Sequence, residues 1–194
     1  NELEKLKSGL ILYGEGWTAD QSPMPEDKRA VKANTSKMPG IASFNDDFRD
    51  AVKGNLSSKK TKGFVSGVEL REEAVKFGIV GAVHHPQLVY DYVESTSHAW
   101  AANPTQCVNY VSCHDNYTLW DKLKASASKA GENEWQKMVK LAGALVLTSQ
   151  GIPFLHAGVD FCRTKGGHHN SYKSPDPVNQ IDWMRKEKYS GVFT

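Results

Sequence analysis

The chain has 194 residues, enough for one ordinary domain and marginal for two. Hydrophobic residues make up 39% and aromatic residues 10%, which excludes a disordered or collagen-like chain. Lys and Arg total 24 against 22 for Asp and Glu, a net charge of +2, so no large positive field argues for nucleic acid.

The most apolar stretch, residues 141–147, falls far short of the roughly 20 residues a membrane-spanning helix needs, and no secretory signal opens the chain. Because residue 1 is Asn, the chain reads as a segment of something longer. Its three cysteines cannot all pair. Cys107 and Cys113 lie in what reads as one strand, about 20 Å apart at strand rise, whereas a disulfide needs Cα atoms within about 7 Å. All three are expected as free thiols, acting as small buried hydrophobes.

In chain order, residues 1–7 have helical propensity and Ser8-Gly9 closes them. The continuous apolar run at residues 10–13 predicts a short strand buried on both faces. Residues 18–39 are polar, carry three prolines and have no period, which predicts a long surface loop. Residues 40–44 predict another strand, and Asn45-Asp46-Asp47 can cap a helix running through Phe48, Ala51 and Val52. Residues 54–67, with Lys59, Lys60 and Lys62 among serines, read as a solvated loop. Residues 70–77 suit a helix, His84-His85-Pro86 breaks the pattern, and residues 86–104 form an irregular excursion. Residues 107–113 (CVNYVSC) alternate and predict a strand, with His114, Asp115 and Asn116 at its end. Residues 135–148 predict a largely buried helix stopped at Gly151. Residues 152–156 predict a last strand that tolerates Pro153, and a polar loop follows to Asp182.

Strand, loop and helix thus repeat about four times, which argues for a parallel α/β sheet or barrel. The long loops all follow strand C-termini, the face on which (β/α)8 barrels build active sites. Periodicity alone does not separate half of such a barrel from a small open sheet.

Two carboxylates stand out by position. Glu15 follows the first apolar strand directly, flanked by Gly14 and Gly16, whose small size lets a bulky ligand approach, with Trp17 beside it as a flat apolar platform. Asp115 holds the equivalent position after residues 107–113. Parallel strands end on the same side, so both acids should project into one cleft. Paired carboxylates of different protonation state hydrolyse glycosides. Trp17, Tyr110, Tyr117, Trp120 and Tyr172 are the aromatic candidates for packing on sugar rings.

These residues also carry a resemblance. YGEGW at 13–17, NYVSCHDN at 109–116 and GIPFLHAG at 151–158 resemble the alpha-amylase superfamily of glycoside hydrolases. RTKGGHHNSYKSPDPVNQIDW at 163–183 and IASFNDDFRDAVKG at 41–54 look like bacterial type I pullulanases in particular, in register over essentially all of residues 1–194. The resemblance implies an α/β fold, a (β/α)8 TIM barrel of which only strands five to eight with their helices are present, so that residues 1–194 form the C-terminal half of a catalytic domain. It makes Glu15 the general acid/base and Asp115 the carboxylate that holds substrate hydroxyls and stabilises an oxocarbenium-like transition state. It makes His114 a hydrogen-bonding partner of a sugar hydroxyl and adds Arg163, Asn170 and Tyr172 to a substrate-binding set that also holds Trp17 and Asn116 by their places beside the two acids. The implied substrate is an alpha-glucan such as pullulan or the branches of starch and glycogen, with no cofactor, nucleic acid or membrane involved.

Two family blocks are absent. A retaining enzyme needs a nucleophilic carboxylate about 5 Å from the acid. In the family this is an Asp at the end of the fourth strand, in a block reading roughly GFRFD, and neither that block nor the third-strand block ending in Asn-His occurs here. The chain alone is therefore expected to be inactive on pullulan, several orders of magnitude below its parent. If it were active alone, Asp46 or Asp47 would have to replace the nucleophile. A half barrel exposes strand edges and its apolar interior, so self-association or pairing with the missing half is expected. His168 stands where relatives often carry Asp. The histidine pairs match no known zinc spacing and no Asp-rich calcium loop is found, so no metal is expected. Secretion fits the resemblance, while three free thiols fit a reducing compartment, leaving location open. The alternatives are another superfamily member, an amylase or branching enzyme, against which NSYKSPD argues, or a non-catalytic glucan-binding half barrel.

Overall fold

The computed structural model describes residues 2–93 and 96–189. Asn1 of the predicted first helix, and residues 94 and 95 of the irregular excursion, lie outside the described residues. Helix α1 (Glu2–Leu6) leads to strand β1 (Leu12–Gly14), β2 (Ile41–Phe44), helices α2 (Asp46–Lys53) and α3 (Glu72–Ile79), strand β3 (Cys107–Asn109), helices α4 (Leu119–Ser126) and α5 (Glu132–Thr148), strand β4 (Ile152–Pro153), and the short helices α6 (Asp176–Asn179) and α7 (Arg185–Lys188). The four strands are parallel and their order in space is β1-β2-β3-β4, that of the sequence. A doubly wound sheet breaks that order at a switch point, and this one does not.

The helices form for local reasons that the sequence displays. Asn45 Oδ1 accepts the Phe48 amide at 3.1 Å and so caps α2. Thr118 Oγ1 accepts the Asp121 amide at 3.1 Å and caps α4. Phe48 and Val52 of α2, Phe77 of α3, Leu119 and Leu123 of α4, and Val139 and Val146 of α5 bury their side chains in one core. Helices α2 and α3 approach so closely that a Cβ on Gly78 would lie 2.0 Å from the Phe48 ring. Beneath the strand ends, buried Asn45 and Asn109 join β2, β3 and α3: the Asn45 amide donates to Asn109 Oδ1 at 3.0 Å, and the Asn109 amide donates to the Gly78 carbonyl at 2.8 Å.

Several expectations change. The first strand is not buried on both faces: Tyr13 is 52% and Ile11 60% exposed, because β1 is the sheet edge and no described element covers it. The predicted surface loop at 18–39 contains two 3-10 turns, Glu26–Lys28 and Lys32–Lys37, and buries Thr35, whose hydroxyl meets Ser43 Oγ at 2.9 Å. The ladder of β3 ends at Asn109, and residues 107–112 are buried throughout rather than alternately, since helices cover one side and aromatic rings the other. Strand β4 is only two residues long, its pairing extended by the Phe154 amide donating to the Asn109 carbonyl at 2.9 Å. Helix α5 buries one stripe, Val139, Ala142, Gly143 and Val146, while Leu141 and Leu147 on the other side are about half exposed. Helix α4 adds to the elements the apolar pattern predicts, and its Thr118 cap is its signal in the sequence. The polar loop after residue 156 also buries Val159 and Phe161. The loop at 54–67 does leave Lys59, Lys60 and Lys62 exposed. The three cysteines are free, Cys107 and Cys162 buried and Cys113 half-buried. Among the described residues no helix is long and apolar enough to cross a membrane.

Candidate active site

Each strand delivers one aromatic ring to the same spot. Tyr13, Phe44, Tyr110 and Phe154 pack edge to face, with Phe44 centroids 5.6, 4.8 and 5.1 Å from those of Tyr13, Tyr110 and Phe154. Phe44, Tyr110 and Phe154 floor a cleft of about 440 Å³ at the C-terminal ends of the strands. Arg49 fixes Tyr110, its guanidinium donating to the phenol oxygen at 2.7 Å while Asp50 takes its other edge at 2.6 and 3.0 Å. Burial pushes the Tyr110 phenol pKa upward, so the ring stays a neutral wall.

Glu15, Trp17, His114, Asp115 and Asn116 stand on the walls of this cleft. His114 Nε2 lies 3.8 Å from Glu15 Oε1 and 3.8 Å from Asp115 Oδ1, and the three groups' ligand atoms fall within 4.8 Å of one another. The flanking glycines of Glu15 do different jobs. Gly14 has open space around it, as close ligand approach requires, whereas Gly16 adopts φ +76° and its Cα packs against Ser43. Asn116 sits in the left-handed region at φ +60°, which turns the chain sharply just after Asp115.

A second cleft of about 420 Å³ shares His114, Asp115 and His156 with the first, and Arg163, Lys165, Ser171, Tyr172 and Asn179 line the rest of it. Of the remaining residues expected at the site, Arg163 and Tyr172 are therefore present, while Asn170 is exposed and lines neither cleft. Trp17 and Tyr172 offer exposed faces (43% and 75%), but Tyr110 and Trp120 are buried and belong to floor and core. Tyr117 packs on His169, with centroids 5.4 Å apart. Asp46 lines the first cleft but is ion-paired with Lys32, and Asp47 is buried.

His156 was not expected at the site. Arg163 Nη1 donates to its Nε2 at 3.0 Å, so the proton sits on Nδ1, 3.3 Å from Ser112 Oγ. Burial, reinforced by the Arg163 charge, pulls its pKa down to about 4. The ring is a neutral post that aims Arg163. Its only sequence signal was its place at the end of the last predicted strand. Among the described residues Glu15, His114 and Asp115 are the one trio close enough to share an ion, and all three are exposed.

No family model matches the chain. A curated relative, pullulanase of Bacillus subtilis, is 42% identical over 185 residues, 95% of this chain and 24% of its own length. This chain is homologous to type I pullulanases. The chloroplastic pullulanase 1 of Arabidopsis thaliana is 31% identical, across 95% of this chain and 23% of its own. A solved pullulanase of Paenibacillus barengoltzii, complexed with maltotetraose, matches at 44% identity and TM-score 0.88 over 99% of this chain and 28% of its own. Type I pullulanase of B. subtilis, complexed with maltose, matches at 40% identity and TM-score 0.89. The chain spans about a quarter of the length of the relatives it matches.

Proposed function

We propose that residues 1–194 are the C-terminal half of a (β/α)8 catalytic domain, strands five to eight, of a retaining alpha-1,6-glucan debranching hydrolase. The observation that carries this reading is the meeting of Glu15, His114 and Asp115 over an aromatic-floored cleft at the C-terminal ends of sequentially ordered parallel strands. In this reading Glu15 protonates the glycosidic oxygen as the bond to the anomeric carbon breaks, then takes a proton from the water that releases the product. Asp115 and His114 hold sugar hydroxyls, and the Asp115 charge stabilises the oxocarbenium-like transition state. Trp17 and Tyr172 supply sugar-packing faces, with Asn116, Arg163 and Asn170 as polar contacts. The maltooligosaccharides bound by the solved relatives support an alpha-glucan ligand.

The nucleophile comes from a strand outside these 194 residues, so the chain alone is inactive. The exposed Ile11 just before β1, Tyr13 on β1 and Leu155 beyond β4 are the surfaces on which the other barrel half would close. Replacing Glu15 by Gln in the reassembled barrel should abolish hydrolysis of unactivated glucan; unchanged activity overturns the acid/base assignment.

A second reading has one observation in its favour. Glu15 and Asp115 oxygens lie within 4.8 Å, close to the roughly 5 Å that separates acid and nucleophile in retaining glycosidases. In that case Asp115 itself attacks the anomeric carbon and the chain needs no second half.

A further inference from the structure

We propose that Lys53 and Lys165 are positioning residues whose buried ammonium groups hold, from two sides, the loop that presents His114 and Asp115. The inference rests on the reading of Asp115 as a substrate-contacting group. Lys165, 4% exposed, donates from Nζ to the His114 carbonyl and to Ser171 Oγ at 2.8 Å. Its own backbone is anchored where its amide donates to Asp121 Oδ2 of α4 at 2.8 Å. Ser171 is fixed in turn, its hydroxyl donating to Asn179 Oδ1 at 2.9 Å. Lys53, 1% exposed at the end of α2, donates from Nζ to the Tyr117 carbonyl at 3.3 Å. The two anchored carbonyls bracket Asp115 and the left-handed Asn116. A loop with its carbonyls turned inward needs donors, and a charged amine on a long stem supplies them where no strand neighbour does.

Burying an ammonium is costly, and here each of the two offsets that cost by meeting a loop carbonyl. Lys53 faces Arg49 and Asp50 of α2, Lys122 of α4, Cys113 of the loop itself and His156 beyond β4. Burial, with Arg49 adding to it, lowers its pKa from 10.5 to about 7. Two effects of opposite sign result. The unfolded chain binds the Lys53 proton more tightly between pH 7 and 10.5, so this group's contribution to global stability grows as pH rises through that window. Over the same window the ammonium is lost and its hold on the Tyr117 carbonyl weakens, so the loop loosens while the fold gains. A residue that merely supported the fold would move both the same way.

The test is ¹⁵N relaxation on the full chain, wild type against Lys53→Met and Lys165→Met, read at residues 114–117 with β2 and β3 amides as internal reference. Order parameters of the loop should fall from about 0.85 to below about 0.6 in either variant while the strands stay rigid. Lys165→Arg, which keeps a permanent charge, should restore them. In wild type, loop order should decline above about pH 7 as thermal stability rises, and Lys53→Met should flatten the first slope and make the second shallower, since Lys32, Lys122 and Lys165 keep lowered pKa values of their own. Unchanged order in both variants, or an equal loss in loop and strands, overturns the proposal. A parallel maltotetraose titration keeps the two readings apart. If wild type does not bind the sugar even when reassembled with the other barrel half, the glucan reading fails, and the relaxation data still decide the role of the lysines.

Discussion

The backbone of Gly16 rests on Ser43: a Cβ on Gly16 would stand 3.0 Å from both Ser43 Cβ and Oγ. The Gly16 carbonyl accepts the Lys32 amide at 2.6 Å, so the turn that begins at Glu15 is pinned to β2 and to the 3-10 turn beginning at Lys32. The Lys32 side chain continues the chain of contacts, reaching Asp46 at the start of α2. Glu15 is thus positioned through the backbone of its neighbour Gly16.

This predicts a contrast between the two glycines that flank Glu15. Gly16→Ala must adopt φ +76° and displace Ser43, which should cost about 2 kcal/mol and lower Tm by roughly 4–8 °C. Gly14→Ala meets nothing within 4 Å and should change stability by less than about 0.5 kcal/mol. Thermal melts of the two variants decide it; equal effects would contradict the packing account.

His156 makes the protein acid-labile in a defined window. Unfolded, the imidazole takes a proton near pH 6.5, whereas folded it does so only near 4. Stability from this group is complete above 6.5 and is lost as pH falls toward 4, by up to about 3 kcal/mol. Urea melts between pH 7 and 4 should show that slope in wild type and a shallower one in His156→Gln. Parallel slopes would refute the buried neutral post.

Glucan binding should depend on the two exposed rings. Trp17→Ala and Tyr172→Ala should each weaken maltotetraose binding about five- to tenfold by calorimetry, the loss expected for an aromatic face against a sugar. Trp120→Ala, in the core 4% exposed, should lower stability instead. Binding that survives both surface substitutions would remove the platform role.

Local chemistry made much of this legible. Asn45 announced the start of α2 by its type and place, and Glu15 and Asp115 stood at strand ends where a parallel fold gathers side chains. Residues whose roles depend on distant packing were not legible. Nothing in the sequence around Lys53 and Lys165 marks them for burial, which comes only when α2, α4 and the loop after β4 close over them. His156 read as a strand terminus until Arg163 and Ser112 meet its two nitrogens. The exposure of Tyr13 escaped the sequence because an apolar run reports an affinity for burial, and not whether the covering layer lies in the same 194 residues.

In the proposed reading Glu15 and Asp115 belong to a debranching site completed by a nucleophile from another strand. The most direct measurement is release of reducing ends from pullulan by this chain alone, and by this chain mixed with the preceding half of the barrel. Expected are no turnover alone, turnover in the mixture, and its loss when the chain carries Glu15→Gln. Turnover by the chain alone would contradict that reading and show that a carboxylate within these 194 residues serves as the nucleophile.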